Sequence, residues 1–263
     1  MKIASWNVNS LKVRLPQVLT WLETRSPDIL ALQETKTTDE AFPVDAIRGA
    51  GYEVGYSGQK TYNGVAVLAR SPISEMLTDP PGLDDAQRRI LAVTVGGIRL
   101  VNLYVVNGEA VDSEKYAYKL DWLRRAQLWL KAELEQYPQM VVLGDFNIAP
   151  DDRDVHDPEE WRDRVLCSVP EREALKGILD LGFGDCFRVR EQPEAQFSWF
   201  DYRAASFRRN RGLRIDLILA SRELLQHCRH SSIDLEPRGW ERPSDHAPVI
   251  AEFDLPDPGS VPA

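Results

Sequence analysis

Two successive glycines, Gly96-Gly97, separate apolar runs at residues 90–95 and 98–105. Glycine takes the positive φ that a two-residue hairpin needs, so the two runs read as neighbouring antiparallel strands. Residues 13–24 and 114–135 instead carry apolar side chains at three- and four-residue spacing, the pattern of amphipathic helices. Hairpins mixed with helices exclude an all-parallel barrel. The α/β arrangement that remains is two mixed sheets packed together with helices outside.

Further strand-like runs lie at 2–7, 29–33, 64–69, 140–143, 213–219 and 248–253. Another helix is expected from Ser168, where Ser168-Val169-Pro170-Glu171 forms a capping-box pattern ahead of Ala174, Leu175, Ile178 and Leu179. No repeat or linker interrupts the chain, so residues 1–255 are expected to form a single domain. The Pro/Gly-bearing stretch 256–263 is expected to be a frayed tail, having too few apolar residues to dock.

The 43% apolar content is enough for a sizeable core, and no apolar run is long enough to span a bilayer. Met1-Lys2-Ile3-Ala4 runs straight into polar Asn7, Asn9 and Ser10, which leaves no signal-peptide core. Cys167, Cys186 and Cys228 are odd in number and form no Cys-x-x-Cys pair, the usage of a reducing compartment. A cytoplasmic monomer without membrane attachment is expected.

The formal charge of −9 is unfavourable for nucleic-acid binding, which draws on phosphate neutralisation by Lys and Arg. Distribution matters more than the sum. Arg203, Arg208, Arg209, Arg211 and Arg214 crowd one stretch with no acid between Arg203 and Arg214. An acidic body with one basic edge suits an enzyme that must release DNA.

The strand ends carry the chemistry. Trp6 is followed by Asn7 and Asn9, the run at 29–32 by Gln33-Glu34, and the run at 140–143 by Gly144-Asp145-Phe146-Asn147. Asp216 sits inside the apolar run 214–219, and Ser244-Asp245-His246 precedes the last strand. Any one of these is an ordinary turn or cap. Asp216 is harder to dismiss, because a carboxylate on a buried strand face needs a partner. His246 is one candidate and an arginine another. A phosphodiester is anionic, so hydrolysis needs positive charge at its oxygens, an orienter or base for water, and help for the leaving alkoxide. Carboxylate and amide oxygens suit a hard ion such as magnesium, while unpaired cysteines and only four histidines argue against zinc.

Taken together, these runs resemble the exonuclease III and abasic-endonuclease branch of the endonuclease/exonuclease/phosphatase superfamily. The markers stand in order over residues 1–255: Ser5-Trp6-Asn7-Val8-Asn9, Leu32-Gln33-Glu34-Thr35-Lys36, Asn63-Gly64-Val65-Ala66, Asn102-Leu103-Tyr104 with Asn107-Gly108, Gly144-Asp145-Phe146-Asn147, Asn210-Arg211-Gly212-Leu213-Arg214-Ile215-Asp216, and Ser244-Asp245-His246-Ala247-Pro248. Seven motifs in order are specific where one is not. The resemblance implies a four-layer α/β sandwich and a nuclease of DNA repair, with 3′→5′ exonuclease, 3′-end phosphodiesterase or phosphatase, and abasic-endonuclease activities. Its partner would be double-stranded DNA with abasic sites or 3′ ends. Its cofactor would be magnesium, with manganese able to substitute.

Residue by residue, the resemblance implies that Glu34, with Asn7 and Asp245, holds the metal. Asp145 orients or deprotonates water, Asn147 hydrogen-bonds the phosphate, Tyr104 lies against the phosphate or leaving group, and His246 paired to Asp216 stabilises the phosphoryl oxygens. Asp145 and His246 both qualify as the base; Asp145 is favoured, because a His beside Asp216 is better kept charged. Lys36, Tyr62, Asn63 and Asn107 are placed at the DNA backbone. Trp199-Phe200 with Leu213, Arg214 and Ile215 resembles the wall that receives an extruded abasic sugar.

Two departures stand out. Asn9 occupies a position where many relatives have an acid, and the loop 151–156 ends in His156, expected over the sugar pocket as a specificity modulator. Two rivals differ in class: another phosphoesterase of the superfamily, such as a nonspecific DNase or phosphoinositide phosphatase, and a nucleic-acid-binding regulator without catalysis.

Overall fold

Strand β1 (Lys2–Asn7) shows how the layers arise from two-residue alternation: Ile3 joins the core between the sheets, whereas Ala4 and Trp6 join a second core beneath helices. The computed structural model describes residues 1–83 and 85–255; the frayed tail expected at 256–263 lies outside them. The remaining strands are β2 (Ile29–Gln33), β3 (Glu53–Ser57), β4 (Val65–Ala69), β5 (Ile73–Leu77), β6 (Ile90–Val95), β7 (Ile98–Tyr104), β8 (Met140–Asp145), β9 (Phe183–Asp185), β10 (Asp216–Ser221), β11 (Cys228–Ile233) and β12 (Val249–Phe253). They form two mixed six-stranded sheets, in the orders β11-β12-β1-β2-β4-β3 and β5-β6-β7-β8-β10-β9. Ile3, Ile29 and Val67 of the first sheet meet Val93, Leu100 and Leu143 of the second in the central core.

The helices are α1 (Leu11–Arg25), α2 (Val44–Gly49), α3 (Glu114–Gln136), α4 (Pro158–Trp161), α5 (Val169–Leu179) and α6 (Arg222–Leu225). Leu11, Val18, Trp21 and Leu22 of α1 and Ile47 of α2 cover the first sheet. Trp122, Ala126 and Leu130 of α3 and Leu175 and Ile178 of α5 cover the second. The result is the expected four-layer α/β sandwich. The capping box at Ser168 and Glu171 forms as expected, and among the described residues no helix is long and apolar enough to cross a membrane.

Gly96-Gly97 turns β6 into β7 as expected, with both glycines at positive φ. The expected strand at 213–219 forms only from Asp216. Leu213 instead makes isolated bridges to Val155 and Trp199, and the Arg214 amide donates to the Asp154 carbonyl. These diverted hydrogen bonds take Leu213 and Arg214 out of the ladder and into a wall beside the site, while the Ile215 carbonyl still accepts the Phe146 amide.

Candidate active site

Register places the central groups. In the parallel β7–β8 pair Tyr104 lies opposite Asp145, and in the antiparallel β8–β10 pair Asp145 lies opposite Asp216. Three site residues therefore stand in one row across three strands, at one end of the sheet. In the other sheet Asn7 ends β1 opposite Gln33, and Glu34 follows directly. Inside β8, Gly144 has a φ of +142°, and a Cβ there would lie 1.9 Å from the Leu103 carbonyl oxygen. The backbone is then bent into unusual conformations around the site, with Asn9, Glu34, Lys36, Asn63 and Asn147 all at φ between 43° and 53°. Such residues cost free energy and cluster where geometry serves chemistry.

His246 closes the row from the segment before β12. Its Nδ1 is 2.9 Å from Asp216 Oδ2, and its Nε2 is 3.7 Å from Asp145 Oδ2. Asp216 is therefore partnered by His246, not by an arginine. Ser198, absent from the sequence-based site, fixes that carboxylate: its hydroxyl donates to Asp216 Oδ2 at 2.6 Å and accepts the Ile215 and Asp216 amides. Burial disfavours the imidazolium, but Asp216 and Asp145 outweigh it and raise His246 to about 10. Burial, reinforced by Asp216 and Glu34 and opposed by His246 and Asn7, pushes Asp145 up to about 7. Of the two, His246 is the group held charged and Asp145 the one able to accept a proton near neutrality. Burial next to Glu34 and Asp145 also raises Tyr104 well above its usual range, keeping its hydroxyl protonated, with Arg89 over its ring at 5.0 Å.

Glu34, Asp145 and His246 present ligand-type atoms within 4.8 Å of one another. A protonated His246 has no lone pair to offer, so the usable donors are carboxylate oxygens, a set that fits a hard divalent cation. The expected metal set is only partly assembled. Asn7 turns its amide NH₂ to Glu34 Oε1 (2.8 Å) and Asp145 Oδ2 (2.9 Å), while its oxygen accepts the Asn9 amide. As placed, Asn7 orients two carboxylates and does not present its oxygen. Asp245 is not part of the Glu34–Asp145–His246 group; its oxygens accept Asn9 Nδ2 at 2.9 Å and Trp199 Nε1 at 3.1 Å. His246, Trp199 and Asn9 keep it below the usual carboxylate range against the opposing effect of burial.

Asn147 donates to the Val105 carbonyl and accepts from Asn107 Nδ2 at 3.0 Å, while its backbone amide donates to Asp145 Oδ1. Beneath them lies a group that sequence reading missed. The fully buried Lys119 ammonium donates to the carbonyls of Asn107 (3.1 Å) and Asn147 (2.7 Å) and pairs with Glu171. Burial pushes this lysine down, while Glu171 works against that shift.

The expected DNA contacts separate into surface and interior. Asn107 is exposed, Tyr62 is 66% exposed, and half-buried Lys36 bridges Glu34 and Asn9 at 2.8 and 2.6 Å. Asn63 is buried, with its amide on Gln59 and Gln87. Arg214, expected at the DNA, is instead 1% exposed and pairs with Asp154 (2.7 Å) and Asp185 (2.8 Å), so it braces the loop 151–156 from inside. Leu213 and Ile215 are likewise covered, and together with Val155 and Leu166 they form the packing behind Trp199. Phe200 packs away from the wall against Phe197 and Phe207. Trp161 takes its place, edge-on to Trp199 at 6.3 Å, with His156 edge-on behind it at 6.4 Å. His156 is therefore one ring back from Trp199, its Nδ1 at 3.2 Å from the Gly212 carbonyl and its Nε2 beside Arg211. The basic edge is real at Arg203, Arg208 and Arg209, which are exposed, whereas Arg211 is tied to Glu160 at 2.8 Å.

Residues 4–246 match the endonuclease/exonuclease/phosphatase family. The chain is 39% identical to exodeoxyribonuclease III of Haemophilus influenzae, covering 96% of this chain and 100% of that one. Among solved structures it is similar to the 3′-5′ exonuclease NExo of Neisseria meningitidis, at 49% identity and a TM-score of 0.95. It is also similar to an AP endonuclease of Archaeoglobus fulgidus, at 37% identity and a TM-score of 0.93. In both cases 97% of this chain and 100% of the other are covered. With the motifs in order, the sheets in the same fold and the carboxylate–imidazole row assembled, the chain belongs to the endonuclease/exonuclease/phosphatase family.

Proposed function

We propose that this chain is a magnesium-dependent DNA phosphodiesterase that hydrolyses phosphoesters at 3′ ends of double-stranded DNA, with abasic-site incision as its lesser activity. The observation that carries the chemistry is His246 held between Asp216 and Asp145, with Glu34 and Asp145 close enough to share a cation. When bound, a divalent cation supplies positive charge against the non-bridging phosphoryl oxygen and the leaving alkoxide.

The protein's own groups divide the remaining work. Asp145 Oδ2 takes a hydrogen bond and then the proton from the attacking water, its basicity raised by burial. Asp216 accepts from His246 Nδ1, which leaves the protonated Nε2 to face the phosphoryl oxygens as negative charge develops. Asn147 reaches the same oxygens by giving up one of the two hydrogen bonds that its amide donates to Val105 and Asp145. Tyr104 keeps its proton and lies beside Glu34 and Asp145, suited to the phosphate or the leaving group. Lys36 and the exposed Arg203, Arg208 and Arg209 supply charge for the DNA backbone.

Preference for 3′ ends rests on Trp161 backed by His156. Two rings at right angles narrow the space in front of Trp199, where an extruded sugar would enter. The similarity to a 3′-5′ exonuclease, and to a 3′ phosphatase from Neisseria at 48% identity, supports action at 3′ ends.

Purified protein assayed on recessed, 3′-phosphorylated and abasic duplexes, with and without magnesium, tests this reading. Metal-dependent release at 3′ ends, faster than abasic incision, is the expected result. Inositol phosphate turnover exceeding DNA cleavage, or no metal dependence, would contradict it.

A further inference from the structure

The segment that carries Asp245 and His246 is gripped at four successive carbonyls. Pro243 accepts from Arg14 Nη2 (3.0 Å) and the Tyr202 hydroxyl (2.8 Å), Ser244 from Arg238 Nη1, Asp245 from the Phe200 amide (3.0 Å), and His246 from Trp6 Nε1 (3.1 Å). Arg238 is unusual among these donors. It is 6% exposed, its Nε has no hydrogen-bond partner, and its guanidinium lies 5.8, 5.7 and 5.0 Å from the ring centroids of Phe200, Tyr202 and Phe207. Taking a cation out of water is costly without compensation, and here three aromatic faces and one carbonyl supply it.

The placement joins two functional parts. Phe200, Tyr202 and Phe207 belong to the stretch that exposes Arg203, Arg208 and Arg209, and Ser244 immediately precedes Asp245-His246. We propose that Arg238 is a positioning residue that ties this basic loop to the Ser244–His246 segment and so sets where His246 stands against Asp145. A planar guanidinium stacks on rings while its edge donates to a carbonyl; a lysine ammonium keeps the charge but loses the flat fork. The effect on turnover rests on the phosphodiesterase reading, whereas the effect on His246 does not.

Arg238→Met and Arg238→Lys test this beside the wild type, at a temperature below all three unfolding midpoints. kcat and KM are measured on a recessed duplex with magnesium, and ¹⁵N-histidine spectra of the DNA-free proteins report His246 directly. Arg238→Met is expected to lower kcat by about tenfold or more with little change in KM, since small misplacements of reacting groups are costly. Its His246 resonances should move and broaden, with Arg238→Lys intermediate in both. Wild-type kcat and an unmoved His246 spectrum in folded Arg238→Met would overturn the proposal. If Arg238→Met does not fold, the same result in Arg238→Lys overturns it. A wild type that cleaves no DNA, with the His246 spectrum still displaced in the variants, would remove the phosphodiesterase reading and keep the clamp.

Discussion

Asp216 lies directly opposite Asp145 in the β8–β10 ladder, and one imidazole serves both, 2.9 Å from the first and 3.7 Å from the second. Both Asp145 and His246 are raised, and the order between them leaves Asp145 the group suited to act as base and His246 the one suited to electrostatic stabilisation. His246 stays protonated up to about 10, and Asp145 loses its proton only near 7. The rate should therefore rise with pH as Asp145 ionises and fall as His246 deprotonates. A cation beside Glu34 favours the Asp145 carboxylate, so the acid limb should move to lower pH as magnesium is increased. Profiles at two magnesium concentrations check this; an acid limb that does not respond to metal would count against Asp145 as the base.

Replacing Asp216 with Asn removes the charge that keeps His246 protonated. The alkaline limb should shift to lower pH, and kcat should fall by about 10²–10⁴-fold, the scale of losing an oriented catalytic imidazole. Thermal unfolding should change little by comparison. An Asp216→Asn protein with the wild-type alkaline limb would show that another group holds His246.

Lys119 offers a test of support from below. Lys119→Met leaves Glu171 buried without its cation and frees the carbonyls of Asn107 and Asn147. Breaking a buried pair by removing one partner costs about 3–5 kcal/mol. Urea unfolding should report a loss of that order, and Lys119→Met combined with Glu171→Leu should lose less than the sum of the two single variants. The sum is the reference because Glu171 also accepts the Leu166 and Ser168 amides. A double variant whose loss equals the sum of the Lys119→Met and Glu171→Leu losses would mean that the pair is not coupled.

How much of this was open to sequence reading depends on periodicity. The strands of the site were legible because Asp145 ends an apolar run and Asp216 sits inside one, and a polar residue is conspicuous there. The edge strands β5 and β11 carry polar residues on exposed positions and lack the contrast that marks a strand. Lys119 and Glu171 lie on helices, where charged residues ordinarily face water, so their burial becomes evident only once α3 and α5 pack together. Arg214 reads as part of a basic cluster; its partners Asp154 and Asp185 are 60 and 29 positions away. Trp161 carries no sequence signal for its place at the wall, because its neighbour Trp199 arrives through an irregular bridge to Leu213.

His156→Gly removes the ring behind Trp161 and should let it move off Trp199. The ratio of abasic incision to 3′-end release should rise, while kcat at 3′ ends stays near the wild-type value. Matched assays on the two duplexes measure the ratio directly. An unchanged ratio in His156→Gly together with an unchanged ratio in Trp161→Ala would remove the wall as the source of preference.

On the proposed function, Asp145 handles the water in a metal-assisted attack on a DNA phosphodiester. The direct measurement is Asp145→Asn, compared with wild type for binding and for single-turnover cleavage of a recessed duplex in magnesium. The variant is expected to bind the duplex about as well as wild type and to lose cleavage by several orders of magnitude. Cleavage within about tenfold of wild type, a loss of only about 1.4 kcal/mol in barrier terms, would contradict it.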